Sequence, residues 1–200
     1  MINFSSCLQE KSRTTYKELT VVEKLGGASQ KIVYRASHNE NTAIILKLYQ
    51  ATLADREYDA LFKLGYHPHL IKFIGRACLN QKDEVVAGQN NSVVTEFAPL
   101  GDLSSYFTKD ADSSGNLTRM RILSIAEQIA NGMAAVHAIG IIHAKLTAKN
   151  VMVFLMDMNL PDYILVKVGD YGEALITGAQ HYDLQTNNAS SFLRWMSPEA

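Results

Sequence analysis

Apolar residues in the first half of the chain alternate with polar ones or form short runs, a pattern typical of β-strands. Strands are therefore predicted at residues 20–25, 32–36, 43–49, 70–79 and 92–97. Between the third and fourth strands, residues 55–64 favour a helix, because Leu53, Glu57 and Leu61 fall on one side at helical spacing. The first half thus predicts a sheet with one main helix.

The second half of the chain carries the clearest helical signal. Five apolar residues recur at three- and four-residue steps, namely Ile122, Ile125, Ile129, Met133 and Val136. They predict a helix over residues 117–138 with this stripe buried, and Gly140 is expected to close it. Two apolar runs, 151–155 and 164–168, then predict two strands joined by a turn.

Composition and charge narrow the class of protein. The 200 residues are 47% hydrophobic with a formal net charge of −1, which suits a globular domain and gives no reason to expect binding to nucleic acid. The two cysteines form no disulfide framework and favour a reducing, cytoplasmic compartment. No apolar run is long enough for a membrane span, so any membrane segment of a longer parent protein would lie outside this chain.

Three short motifs carry the candidate chemistry. Residues 143–150 read H-A-K-L-T-A-K-N, residues 169–172 read G-D-Y-G, and residues 194–200 read R-W-M-S-P-E-A. Asn150 and Asp170 stand at the ends of strand-like runs and offer the oxygen ligands that Mg²⁺ prefers. The alternative is that both are ordinary turn residues.

The order and spacing of these motifs resemble the protein kinases, and the tyrosine-kinase group in particular, which has H-R-D-L-A-A-R-N, D-F-G and W-x-x-P-E. The resemblance runs from about residue 20 to residue 200 and covers roughly the first two-thirds of the family's domain. It implies an α+β, two-lobed kinase-like fold that is truncated at the C-terminus. Because the family's central C-lobe helix would then be missing, Ile122, Ile129 and Met133 are expected to be poorly covered. We expect a flexible lead at 1–16, an N-lobe and hinge at 17–98, and a partial helical C-lobe at 99–200.

The resemblance also implies an ATP and Mg²⁺ site. The metal ligands would be Asn150 and Asp170, and the nucleotide contacts would be Gly26, Val33, Lys47, Thr95, Glu96, Ala98, Asp102 and Met152. Lys47 is expected to hold the α- and β-phosphates and to form an ion pair with Glu57. Two alternatives stay open: Lys47 as a strand lysine facing solvent, and Asp102 as the N-cap of the following helix.

The phosphate-binding turn departs from the family pattern. Gly26 matches a family glycine, but Ala28 and Lys31 replace the other two, and each added Cβ restricts the backbone. Ile45 replaces a smaller residue above the adenine and should crowd it. Alone, the pair Gly26-Gly27 would indicate only a tight turn. A dinucleotide-binding enzyme is excluded, because its glycines join a strand to a helix rather than two strands.

The decisive departure is Lys145, which stands where the family has the Asp that accepts the substrate's hydroxyl proton. A lysine has a reference pKa of about 10.4, so it is a poor base near neutrality. Losing a positioned base typically lowers the rate about 10²–10⁴-fold. Ala144 replaces the Arg that pairs with a phosphorylated activation segment, so Tyr182 is as compatible with plain surface as with a phosphosite.

The remaining motif residues are interpreted as structural. His143 is expected to pack against Tyr171, whose hydroxyl needs a hydrogen-bond partner. His67 and His69 fit a turn better than a metal site, since no third ligand is in view. Phe192 replaces a Pro typical of tyrosine-specific members, and Ser197-Pro198-Glu199 matches the family's closing motif.

The sequence therefore predicts a pseudokinase that binds ATP weakly and serves other signalling proteins or kinases as a scaffold or regulator. The alternative is an active protein kinase that transfers the γ-phosphate to a protein hydroxyl through an unusual loop.

Overall fold

The computed structural model describes residues 19–28, 30–38, 41–88, 90–109, 118–157, 160 and 163–176. They form two compact units. The first contains the described residues up to Gly65 together with Lys72–Phe97, and the second contains Tyr66–Ile71 and the described residues from Ala98 onward. The domain limits expected from the sequence stay predictions.

The first unit is built on an antiparallel sheet. Its strands are β1 (Leu19–Ala28), β2 (Lys31–His38), β3 (Asn41–Leu48), β4 (Phe73–Leu79), β5 (Val85–Val86) and β6 (Ser92–Glu96). Their order across the sheet is β1-β2-β3-β6-β4-β5. All five predicted strands are present, although the one expected from residue 70 begins at Phe73. The sequence analysis missed β5, because two residues carry almost no pattern.

Strand register assigns each side chain to one of two faces, since successive residues point to opposite sides and paired residues to the same side. Val33 pairs with Leu46, while Tyr34 pairs with Ile45. We call the face that carries Val33, Leu46 and Thr95 the helix face, and the opposite one the core face. The core face holds a buried cluster made of Leu19, Tyr34, Ala36, Ala43, Ile45, Ala77, Leu79 and Val94.

Helix α1 (Ala51–Leu64) packs against strands β3, β4 and β6. Two of its partners, Phe73 and Arg76, lie on the helix face by their pairing with β6. The Tyr58 ring meets Phe73 edge-on at 5.6 Å, and the Arg76 guanidinium lies 4.6 Å from the Tyr58 ring centroid. Arg76 also forms an ion pair of 2.6 Å with Asp55. Aromatic and charged contacts therefore fix α1 to the helix face.

The second unit combines helices with two short ribbons. Its elements are α2 (Leu103–Lys109), α3 (Arg119–Ala138), β7 (Ile141–Ile142), β8 (Val151–Met156), β9 (Ile164–Val168) and β10 (Leu175–Ile176). Strand β8 pairs with β9 and β7 with β10, both antiparallel. The predicted β8–β9 turn is closed by a hydrogen bond from the Asp157 N–H to the Tyr163 carbonyl. The core contains Leu103, Ile125, Val151, Val153, Ile164 and Val166.

Helix α3 buries part of the predicted stripe. Ile125 and Val136 are buried, Ile129 and Met133 are half-buried, and Ile122 is 48% exposed. The Thr118 hydroxyl accepts a hydrogen bond from the Arg121 N–H at the start of the helix. Gly140, with φ of 71°, follows its end as expected. Along the described residues, neither α3 nor another helix has the length and apolar character needed to cross a membrane.

The side chain of Gln128 ties α3 to the edge of β9. Its amide nitrogen donates to the Ile164 carbonyl at 2.8 Å, and its amide oxygen accepts from the Val166 N–H at 2.9 Å. One glutamine thus satisfies two main-chain groups of a strand edge, as a neighbouring strand would. The other end of the same edge is paired with residues 69–71, through Val168 N–H to His69 and Ile71 N–H to Val168.

Replacement of Gly132 by alanine is predicted to destabilise the chain, although alanine is the better helix former. A Cβ at this position would stand 2.8 Å from the His69 carbonyl oxygen and 3.0 Å from a Leu70 methyl group. Overpacking of this kind costs about 1–3 kcal/mol, more than the gain in helix propensity of about 1 kcal/mol. Urea unfolding measures the change, with Gly26→Ala as the control, because a Cβ there meets nothing within 4 Å. Equal or higher stability of Gly132→Ala would contradict this packing.

Candidate functional site

The segment from His143 to Asn150 is shaped by a network of hydrogen bonds around His143. The imidazole is 1% exposed. Its Nε2 lies 3.0 Å from the Gly169 carbonyl oxygen, and its Nδ1 accepts from the Lys145 N–H at 3.3 Å. One nitrogen therefore donates and the other accepts, which is the pattern of a neutral imidazole with its proton on Nε2. This ring links the His143–Asn150 loop to the segment that precedes Asp170.

The expected packing of His143 against Tyr171 is confirmed. The two ring centroids are 4.9 Å apart. Tyr171 is fully buried, and its hydroxyl donates to the Val168 carbonyl at 3.3 Å. A buried tyrosine normally finds such a partner, so the hydroxyl gained by replacing a phenylalanine is accommodated.

Asn150 occupies the end of a short 3-10 helix, Ala148–Asn150. It is buried, and its side-chain nitrogen donates to the Lys145 carbonyl at 2.7 Å. Its own carbonyl accepts from the Gly169 N–H at 2.8 Å. The segments that contain the two predicted metal ligands, Asn150 and Asp170, are thus joined by a main-chain hydrogen bond. Because the Asn150 side-chain nitrogen is used in the bond to Lys145, its side-chain oxygen is the atom left to bind a metal ion.

Two non-glycine residues of this site adopt the left-handed backbone region. Ala144 has a φ of 60° and Asp170 a φ of 63°. Residues other than glycine rarely adopt positive φ values, and those that do are concentrated at functional sites. The loop geometry is therefore determined by its hydrogen bonds rather than by local preference.

The ammonium of Lys145 lies 3.9 Å from a carboxylate oxygen of Glu173. Both side chains are about one-third exposed, so this long ion pair contributes little to stability. Sequence reasoning missed Glu173, although its position directly after G-D-Y-G and its charge opposite to Lys145 were available signals. Lys145, the residue that the resemblance aligns with the family's proton-accepting Asp, thus has an acidic neighbour.

The predicted nucleotide contacts of the second unit lie on adjacent segments. Asp102 caps α2, since its carboxylate accepts from the Ser105 N–H at 2.9 Å, which confirms the N-cap alternative. Asp102 also forms an antiparallel bridge with Met152. The Ala98 carbonyl accepts from Gly101 in the turn that precedes Asp102. The ribose and adenine contacts expected of these residues stay predictions.

In the first unit, the predicted nucleotide contacts do not share one face. Val33 and Thr95 lie on the helix face, where they pair with Leu46 and Ile44 respectively. Lys47 is one residue from Leu46 along β3 and therefore points to the core face. Gly26 pairs with Val33. Glu96 accepts from the Lys72 N–H at 2.6 Å through its carboxylate.

The predicted ion pair between Lys47 and Glu57 is wrong. Lys47 instead pairs with Asp83, with 2.7 Å between its Nζ and the carboxylate, and also donates to the Asn80 carbonyl at 2.9 Å. The reason is the register of β3, which directs Lys47 to the core face, opposite the face on which α1 packs. Sequence reasoning missed Asp83, because its loop reads as ordinary polar turn residues.

His67 and His69 belong to a turn, as predicted. The His67 Nδ1 accepts from the His69 N–H at 3.2 Å, and its carbonyl accepts from the Leu70 N–H. Within the part of the chain that the structure describes, no three His, Cys, Asp or Glu side chains cluster as metal ligands. The predictions for residues 1–16, Tyr182, Phe192 and 197–199 lie outside the described residues.

The antiparallel sheet with one packed helix, followed by a loop, ribbon and Asp-Tyr-Gly turn, defines a protein-kinase-like fold. Residues 19–200 match the family model of protein tyrosine and serine/threonine kinases. The chain belongs to this family, and its predicted α+β kinase-like fold class is confirmed.

Several curated proteins are similar to this chain. Tyrosine-protein kinase SRK2 of Spongilla lacustris is 28% identical over 186 residues, which are 91% of this chain and 46% of that protein. Dual specificity protein kinase shkB of Dictyostelium discoideum is 31% identical over 183 residues, 88% of this chain and 25% of that protein. Tyrosine-protein kinase hopscotch of Drosophila melanogaster is 31% identical over 134 residues, 67% of this chain and 10% of that protein. The chain thus spans less than half the length of these relatives.

The stability of the chain is predicted to fall between pH 7.5 and pH 5.5, in part because of His143. Burial lowers the pKa of His143, while the Gly169 carbonyl and Asp170 oppose the shift and Lys145 adds to it. The unfolded chain takes up a proton near pH 6.5, but the folded chain does so only at lower pH, so acidification favours unfolding. One such proton corresponds to at most about 1.4 kcal/mol per pH unit.

Urea midpoints measured at several pH values test the role of His143. The variant His143→Gln should be less stable at pH 7.5 and should show a flatter pH dependence. His67→Gln serves as the comparison variant. Burial and His69 lower the pKa of His67 as well, so this variant shows how much of the pH dependence comes from His67 rather than from His143. A slope that is unchanged in His143→Gln would refute the assignment.

Proposed function

We propose that this chain is a pseudokinase domain that acts as a scaffold or regulator of signalling proteins. The observation that carries the proposal is the side chain at position 145. The loop around it has the main-chain organisation that a kinase active site needs, yet it presents an ammonium group where proton abstraction requires a carboxylate.

The surroundings of Lys145 support the loss of base function. Its ammonium lies 3.9 Å from a carboxylate oxygen of Glu173, so the side chain at this position takes part in an ion pair as a cation. A charged lysine has three donors and no acceptor, so it cannot take the proton of a hydroxyl group. It can attract a phosphate group, which favours binding of a nucleotide over its turnover.

The residues that would hold Mg²⁺ fit that ion. Asn150 and Asp170 offer an amide and a carboxylate oxygen from segments joined by the hydrogen bond between Gly169 and Asn150. Mg²⁺ usually takes one or two protein ligands and fills its octahedron with phosphate oxygens and water. Two ligands therefore suffice when a nucleotide is bound, and the ion would neutralise phosphate charge there.

The nucleotide contacts expected from the resemblance support weak binding of ATP. The resemblance places seven residues at the family's nucleotide-contact positions, namely Gly26, Val33, Thr95, Glu96, Ala98, Asp102 and Met152. Lys47 is directed to the core face and held by Asp83, and Ile45 is fully buried on that same face. We therefore propose that affinity comes chiefly from Asn150, Asp170 and the hinge segment.

The proposed partners are other signalling proteins, including active protein kinases. The relatives named above are protein kinases, and a domain that keeps their fold can present a related surface without transferring phosphate. We propose a cytoplasmic location, either for the chain itself or for a longer protein that contains it.

Phosphotransfer by this chain is predicted to stay at background. Loss of a positioned catalytic base typically costs about 10²–10⁴-fold, so incorporation of labelled phosphate into a mixed Tyr, Ser and Thr peptide substrate should equal that of Asp170→Ala. An active kinase of related sequence serves as the positive control. Transfer that clearly exceeds the Asp170→Ala level would overturn the pseudokinase proposal.

Millimolar ATP with Mg²⁺ is predicted to raise the melting temperature. Binding at a tenfold excess over Kd stabilises the folded state by about 1.4 kcal/mol. Asn150→Ala should reduce the ATP-dependent shift, whereas Lys149→Ala, an exposed neighbour, should not. If the melting temperature of the unchanged chain does not shift, the proposal of weak nucleotide binding is wrong, and the chain would act as a scaffold without nucleotide.

A further inference from the structure

The loop between β4 and β5 brings two hydrogen-bond acceptors close together, where they can hold an ammonium group. The side-chain oxygen of Asn80 accepts from the main chain of Lys82 at 2.8 Å and of Glu84 at 3.0 Å. Its side-chain nitrogen donates to the Glu84 carboxylate at 2.9 Å. The Asp83 N–H bonds back to the Asn80 carbonyl. One asparagine thus folds the loop so that a carbonyl and the Asp83 carboxylate lie together.

The cation in this site is the ammonium of Lys47. It donates to the Asp83 carboxylate at 2.7 Å and to the Asn80 carbonyl at 2.9 Å. Its side chain is only 17% exposed, and β3 lies between two paired strands that hold its main chain in place. Charge-assisted bonds of this length are among the stronger hydrogen bonds in proteins.

The loop turns sharply at Asp83. This residue has a φ of 61°, a left-handed conformation that Asp adopts more readily than most residues other than glycine. Beneath it, Tyr34 is buried to 1% exposure, and burial together with the neighbouring Asp83 carboxylate raises the pKa of its hydroxyl to about 12. The charge of Asp83 is therefore placed between a cation and a buried phenol.

We propose that Lys47 is a positioning residue of the first unit, which anchors the β4–β5 loop through Asp83, and is not a ligand of nucleotide phosphates. This goes beyond the proposed function, since it assigns a different partner to the residue that the family resemblance links to ATP. The ordinary expectation for a surface ion pair is a small contribution. Here the second acceptor, the rigid strand and the folded loop reduce the cost of ordering both side chains.

A double-mutant cycle on the whole chain tests the proposal. Lys47→Met and Asp83→Asn are each expected to lower the melting temperature by roughly 2–4 °C. Because each removes the same interaction, the double variant should melt no lower than the less stable single variant. The controls are Lys63→Met and Asp59→Asn on α1, two exposed residues for which no ion pair is formed among the described residues.

Three results would overturn the proposal. The first is an additive double variant, and the second is a pair of single variants that melt like their controls. The third is a Lys47→Met protein that loses the shift caused by ATP and Mg²⁺ while Asp83→Asn keeps it, since Lys47 would then bind phosphate. If Lys47→Met does not fold, the comparison of Asp83→Asn with Asp59→Asn decides.

The cycle is read without nucleotide, so it separates this proposal from the proposed function. A chain that shows no shift with ATP can still show coupling between Lys47 and Asp83. Conversely, a chain that binds ATP normally in Lys47→Met and lacks that coupling keeps its proposed function and loses this inference.

Discussion

The alternation of side chains along β3 is the constraint on which the first unit depends. Pairing with β2 on one side and β6 on the other fixes the register, so each residue of β3 is committed to one face. Ile45 thereby enters the buried cluster, and Lys47 follows it to the same face. The ion pair between Lys47 and Asp83 is a consequence of this register.

In the second unit, the shape of the His143–Asn150 loop does not depend on the side chain at position 145. Residue 145 contributes to the loop through its main chain, whose N–H donates to His143 and whose carbonyl accepts from Asn150. Neither bond depends on the side chain. The side chain at position 145 can therefore vary without loss of these two hydrogen bonds.

Much of the fold was predictable from the sequence, because long periodic segments such as α3 and β8 carry strong signals. The contact between His143 and Tyr171 was also predictable, because the resemblance to the kinase family implied it. Lys47 was not, because spacing along the chain does not reveal which face of a sheet a strand residue occupies. Asp83 and Gln128 act through contacts across 36 to 38 positions of sequence, and no local pattern marks them.

Gln128 has a consequence for the behaviour of the chain in concentrated solution. A two-stranded ribbon leaves rows of unpaired main-chain groups that can template association with another molecule. In β9, the glutamine amide occupies one part of that row and residues 69–71 occupy the rest. A helix and a connecting segment thus close the ribbon against edge-to-edge aggregation, although the strand itself contains no charged or proline gatekeeper at its Gln128-bonded end.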